Sequence, residues 1–176
     1  TPQSFPMGSH REETDILGAV RVPAEALYGS FTTRARENFE ISGLKIDEAF
    51  IATLAEVKKA AVQANGDLGL LEGESLDAIL RAADEVISGD HAAEFPLDVF
   101  QAGAGTPWNM NVNEVIANRA NQMLGSPLGS YSPVHPNDHV NMSQSSNDVI
   151  PNAMRVTAIK LSGELIEEIE GLEGSL

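Results

Sequence analysis

The stretch "GESLDAILRAADEVISGD", residues 73–90, constrains the fold more than any other part of the chain. Leu76, Ile79, Leu80, Ala83, Val86 and Ile87 recur at spacings that place them on one face of a helix, and that face must be buried against another element. Gly89 stands where a C-terminal cap belongs. A second helix over Lys45–Asn65 carries Phe50, Leu54, Val57 and Ala61 on one stripe, with Gly66 as its stop. A third covers Asn111–Leu124, burying Val115, Ile116, Met123 and Leu124 and ending at Gly125. A last helix begins near Asn147 and runs to the terminus, with Val149, Val156, Ile159, Leu165, Ile166, Ile169 and Leu172 apolar. It exceeds the mean helix length of about 11–12 residues, which argues for a helix bundle. Its abrupt end at "EGSL" argues that the chain is cut there.

Outside these helices the signals are mixed. Residues 11–43 read as an irregular arm, with turns at Pro23 and Gly29 and few strand signals, and "GSPLGSYSPVHP" reads as a loop. "TPQSFPMGSH", residues 1–10, reads as a cloning remnant and is left out of the fold argument. A chain of 176 residues, 42% hydrophobic, can bury the core of one domain.

Composition narrows the function classes. Acidic residues outnumber basic ones by 26 to 11, a net charge of −15, so the positive field required by nucleic acid is missing. No cysteine is present, which excludes disulfides and thiolate metal sites and suits a cytoplasmic setting. No apolar run approaches the roughly 18 residues of a membrane span.

Two polar segments stand directly before helices. In "FQAGAGTPWNMNVNEV", small residues 102–105 would let backbone approach a ligand, Thr106 offers a hydroxyl, and Pro107 suits a first helical turn. The absence of Gly-Lys-Ser/Thr argues against a phosphate-binding loop, and no cofactor motif is found. Capping of the following helix by Thr106 or Asn109 is the simpler reading. In "VHPNDHVNMSQSSNDVIPNA", Ser143, Ser145, Ser146, Asn147 and Asp148 exceed what one cap needs. Two such helix starts could hold a carboxylate through local dipoles, without a nearby lysine. His135 and His139 have a metal-like spacing only on a helix, and Pro136 argues against a helix there, so no metal site is assigned.

These residues resemble the fumarase/aspartase superfamily. "ETDILGAVRVPAEALYG", "RENFEISG", "AADEVISGDHAAEFPLDVFQ", "GAGTPWNMNVNEVIANRA" and "HPNDHVNMSQSSNDVIP" appear in the family's order, and the last two are the specific signals. The resemblance implies a mostly α fold, with residues 11–146 as the N-terminal domain and 147–176 as the start of a central helical bundle. It also implies a homotetramer with active sites shared between subunits. It assigns Thr106, Asn109, Ser145, Ser146 and Asn147 to substrate binding, and His135, Asn137 and Asp138 to a secondary anion site.

The implied reaction is reversible anti-elimination to fumarate from a small dicarboxylate or amino acid. A base removes the proton next to a carboxylate, and the charge that develops is stabilised electrostatically. The glycine-serine loop carrying the family's base, and the segment with its Thr-His pair, are not among these residues. No catalytic residue is therefore assigned, and the 176 residues alone are expected to be inactive. "DLGLL", "HPND" and "SQSSND" look like fumarase. Ala104, "LYGSFTTR" and Ser132 look like aspartase, and Ala104 tilts the reading to aspartate ammonia-lyase, with fumarate hydratase as the alternative. A non-catalytic module on the lyase scaffold is the reading from another class. Pro107 and Trp108 fit neither pattern, and a bulky ring at 108 would suit a different substrate.

Overall fold

A computed structural model describes residues 9–175. The arm is more regular than its sequence suggests: β1 (His10–Asp15) and β2 (Gly18–Pro23) form an antiparallel hairpin in which Arg11 faces Val22 and Glu13 faces Val20. Alternation is visible only in β2, where Val20 and Val22 turn inward, because the buried position of β1 is the carboxylate Glu13. Residues 1–8 of the expected remnant lie outside the described residues. Its last two are built into the fold, His10 opposite Pro23 and the Ser9 carbonyl accepting the Ala24 N–H at 2.9 Å.

α1 (Ser30–Asn38) follows, and its buried residues are Ser30, Thr32, Thr33 and Ala35. With hydroxyls rather than apolar side chains inside, it has no stripe for a periodicity argument to find. Its N-cap, Gly29, has no side chain to cap with. Two carboxylates from elsewhere do the capping: Glu114 accepts the N–H groups of Gly29 and Phe31 at 2.9 Å and Thr32 at 3.1 Å, and Glu13 accepts that of Ser30 at 2.8 Å. Negative charge at a helix N-terminus satisfies orphan donors and complements the helix dipole. Burial pushes the Glu114 carboxyl upward, and these N–H bonds oppose that push.

α2 (Glu48–Asp67) is capped by Asp47, whose carboxylate accepts the Ala49 N–H at 2.8 Å. Phe50, Ile51, Leu54, Ala55 and Val62 form its buried face. Gly66 lies inside its last turn rather than stopping it: a Cβ there would come within 2.8 Å of Leu76, so the glycine permits close packing on α3 (Gly73–Ile87). The chain turns instead at Gly69, with φ at +69°. On α3, Ile79, Ala83 and Val86 are buried and Leu76, Leu80 and Ile87 pack at the core's edge, as expected.

α4 (Thr106–Met123) starts earlier than its apolar residues suggest and packs against both α1 and α3. Val112, Val115, Ile116, Ala117 and Ala120 are buried along it, and so are Asn109, Asn111, Asn113, Glu114, Asn118 and Asn121. α5 (Ser146–Glu173) packs on α2 and α4 through Val149, Ile150, Ala153 and Thr157. Beyond Thr157 its apolar residues Ile159, Leu165, Ile166, Ile169 and Leu172 are exposed. No helix among the described residues is long and apolar enough to cross a membrane.

One charge sits in this core. Lys58 lies one turn after Leu54 and one before Val62 on α2, is fully buried, and is pushed down from 10.5 to about 7 by desolvation.

Two outcomes follow from these burials. Glu114→Gln places an NH2 group against a backbone N–H donor, so urea unfolding should show a loss of about 2 kcal/mol; an unchanged midpoint would contradict the capping role. For Lys58, the folded chain gives up its proton near pH 7, whereas the unfolded chain keeps it to about 10.5. Stability should therefore rise with pH through that window relative to Lys58→Met, by up to about 1.4 kcal/mol per pH unit. Urea titrations of both proteins at a series of pH values measure this, and a pH-independent difference would show that Lys58 titrates normally.

Candidate functional site

The two polar segments meet in space. Thr106 is the first residue of α4 and Ser146 the first of α5, and their hydroxyl oxygens lie 3.2 Å apart. Two helix N-termini therefore converge, and each contributes a hydroxyl and the positive end of a dipole.

The local conformation leaves Thr106 free for this role. The α4 cap is Gly105 in the left-handed region, φ +77°, with no side-chain cap, so neither Thr106 nor Asn109 serves as the N-cap that the simpler reading assigned. A Cβ at Gly105 would meet Trp108 at 2.9 Å and Ile150 at 3.1 Å, so glycine is needed for the loop to sit on α5. Trp108 is half-buried beside this loop. Its ring packs edge-on against Phe50, with centroids 6.1 Å apart, and Nε1 donates to the Asp98 carbonyl at 3.3 Å. The tryptophan thus braces the loop against Phe50 of α2 and the Asp98 segment.

Asp98 organises the approach to that loop. Its carboxylate accepts the N–H groups of Ser42 at 2.7 Å, Gly43 at 2.8 Å and Phe100 at 2.9 Å, and these bonds hold it far below the usual carboxylate range. An apolar depression of about 410 Å³ beside the loop is lined in part by Phe39, Phe100, Ala104, Trp108 and Met154. Ala104 is exposed within this loop.

On the α5 side, Ser145 is the N-cap, its Oγ accepting the Asn147 N–H at 3.3 Å. Ser146 is left to face Thr106, and Asn147 is exposed at the helix start. Asn109 differs from its neighbours: it is 2% exposed, and its Nδ2 donates to Asn141 Oδ1 at 3.2 Å. The structure thus brings Thr106 and Ser146 into contact, keeps Ser145 and Asn147 on the adjacent turn, and places Asn109 beneath them.

A lysine stands behind this arrangement, contrary to the expectation that dipoles act there without one. Lys58 Nζ donates to the same Asn141 Oδ1 at 2.6 Å, and one turn pair further along α2 Asn65 Nδ2 donates to the Met142 carbonyl at 3.2 Å. The signal was present in the sequence: Lys58 falls on the stripe of Leu54 and Val62, where a solvated lysine does not belong.

The second cluster lies on a single helical turn, Pro136–Val140, which forms despite the proline because Pro136 occupies the first position, where no N–H is required. His135 caps it, its Nδ1 accepting the N–H groups of Asn137 at 3.3 Å and Asp138 at 3.2 Å. Its Nδ1 also approaches the Asp138 carboxylate, at 3.4 Å. His139 Nδ1 accepts the His135 N–H at 2.8 Å. His135, Asn137 and Asp138 are therefore together, but the backbone donors of the turn are already committed to the histidine.

Comparison with known proteins identifies the family. The chain matches the lyase family over residues 18–176. It is 58% identical to a class II fumarate hydratase of Halobacterium salinarum, covering 85% of this chain and 32% of that protein. It is 52% identical to one from Nitrosomonas europaea, covering 97% of this chain and 37% of that protein. Among solved structures, a fumarate lyase:delta crystallin from Brucella melitensis superposes with a TM-score of 0.83 at 48% identity, over 86% of this chain and 36% of that one. A class II fumarase from Schistosoma mansoni superposes with a TM-score of 0.80 at 41% identity, over 85% and 32%. The chain thus spans about a third of the length of the curated relatives it matches. With its helical core, its two converging helix starts and these likenesses, the chain belongs to the lyase family, within the fumarase/aspartase superfamily.

Proposed function

We propose that the full-length protein is a fumarate hydratase, interconverting fumarate and L-malate by anti-elimination and addition of water. The observation that carries the elimination chemistry is the meeting of Thr106 and Ser146 at two helix N-termini, 3.2 Å apart. In the dehydration direction, a base removes the proton from the carbon next to one carboxylate, and negative charge spreads onto that carboxylate. The bond to the hydroxyl on the neighbouring carbon then breaks, and protonation of the departing oxygen releases water. Hydroxyls and helix dipoles aimed at the dicarboxylate stabilise charge as it develops, without reorganising. Thr106, Ser145, Ser146 and Asn147 supply those donors, and Asn109 supports them from below. By the family resemblance the base would come from a segment outside these residues, and the 176 residues by themselves should show no turnover.

The choice of water over ammonia as the leaving group rests on the relatives, since those named above at 52% and 58% identity are class II fumarate hydratases. Ala104 favours the second reading, aspartate ammonia-lyase, because its methyl offers no hydrogen bond to a departing hydroxyl. Thr106, two residues on, and Ser146, in contact with it, offer two. We propose further that the full-length protein is a homotetramer, supported by the exposed apolar residues of α5 beyond Thr157.

Separate assays of the full-length protein with L-malate and L-aspartate, following fumarate by its absorbance, test the assignment. Turnover of malate is expected. Deamination of aspartate alone would install the second reading, and binding without turnover would point to a non-catalytic module. Thr106→Val and Ser146→Ala should each lower kcat/KM for malate by about tenfold or more, in the range seen on removing a single positioned donor. Wild-type kinetics in both variants would remove these hydroxyls from the site.

A further inference from the structure

We propose that Lys58 is a positioning residue: through Asn141 it sets the orientation of the Asn109 carboxamide, so that Asn109 presents an oxygen, not an NH2 group, as an acceptor for an O–H donor in the substrate site. This rests on the lyase reading above for the location of that site.

The argument is one of donor and acceptor polarity. An amine on lysine, buried here with its Nζ 2.6 Å from the Asn141 side chain, brings N–H groups to that contact. A carboxamide facing it must turn its oxygen toward it, so Asn141 presents Oδ1 and its Nδ2 is directed to the Gln144 carbonyl at 3.3 Å. Asn109 meets that same Oδ1 and must therefore present Nδ2, at 3.2 Å. What remains of Asn109 is Oδ1, which is buried and has no hydrogen-bond partner among the described residues. An unpaired buried acceptor costs roughly 1–3 kcal/mol, so its retention one turn from Thr106 has a purpose if a donor arrives with substrate. A substrate hydroxyl, or a water bridging to it, is such a donor.

Charge reinforces the geometry. No ion pair forms at Lys58 among the described residues, and burial lowers its proton affinity. Either protonation state retains N–H donors, so the contact to Asn141 Oδ1 persists on loss of the charge, and the ammonium form, which cannot accept, enforces its polarity. Asn65, on the same face of α2, pins the adjoining Met142 carbonyl at 3.2 Å, so the helix supports the relay at two consecutive residues of the loop.

The test uses the full-length protein and four variants: Lys58→Met, Asn109→Ala, the double variant, and Asn141→Ala. Lys58→Met removes the donor that orients the relay. It should lower kcat/KM for malate at least tenfold while the circular dichroism spectrum and tetrameric mass stay unchanged. Because Lys58 acts through Asn109, the double variant should be no worse than Asn109→Ala by more than about threefold, whereas a purely structural role would multiply the two losses. A Lys58→Met enzyme within threefold of the parent, or multiplicative losses, overturns the proposal. Should Lys58→Met not fold, Asn141→Ala decides at a half-buried position: a tenfold loss supports the relay, and parental kinetics overturn it. Failure of the function reading shows separately, as a parent protein that turns over neither malate nor aspartate. Hydrogen exchange then decides without substrate: selective acceleration over residues 106–109 and 141–147 in Lys58→Met, or in Asn141→Ala where Lys58→Met does not fold, supports the relay, and unchanged exchange overturns it.

Discussion

A helix buried on most of its surface, yet carrying a polar side chain at every turn, is the constraint on which the rest of this structure depends. α4 buries five asparagines and a glutamate. Each needs partners, because an unpaired amide or carboxylate in a core is costly. The partners are mostly loop backbone. Glu114 holds the start of α1; Asn118 donates to the Leu27 carbonyl at 2.7 Å and accepts the Gly129 N–H at 2.8 Å. Asn121 exchanges two hydrogen bonds with Val134, both at 2.8 Å, much as a neighbouring strand would, and Asn111 donates to the Glu94 carbonyl at 2.9 Å. Loops without a sheet or apolar stripe of their own are thus placed by the side chains of one helix.

The candidate site inherits its shape from that arrangement. Asn109 extends the polar face of α4 to its first turn, where it meets Asn141 and, through it, Lys58 on α2. Asp98 and Trp108 fasten the preceding loop, and Ser145 caps α5 so that its neighbour Ser146 faces Thr106. The site's hydroxyls are available because other groups carry the structural work: a left-handed glycine turns the chain at residue 105, and carboxylates remote in sequence cap α1. An anion held by such a site in a chain of charge −15 would need no positive surface, since the dipoles are local.

How much of this was legible follows from where the information lies. α3 could be read almost to the residue, because its apolar positions repeat with helical period and a left-handed glycine, Gly89, follows its C-cap Ser88. The hairpin could not, since one of its inward positions is Glu13 and half of its alternation is lost. α1 escapes a periodicity argument for the same reason, its inward side chains being mostly hydroxyls while a distant glutamate accepts its first backbone N–H groups. Asn109 reads as a cap in the sequence, the usual local use of an asparagine there. Here it, Asn111, Asn118 and Asn121 serve contacts 11 to 91 residues away, as in Asn118 with Gly129 and with Leu27.

By itself the sequence determined the helical class, the positions of the long helices and the two polar segments that precede them, because periodicity, capping and breaker residues act within a few turns. It also determined the family, through motifs whose order survives without coordinates. Only the tertiary structure decided that Thr106 and Ser146 touch, that Trp108 faces the core, that Asn109 is covered, and that a lysine of α2 stands behind both segments. Those outcomes depend on which helix faces pack together, and a hydrogen bond between residues 58 and 141 or 106 and 146 leaves no trace in local spacing.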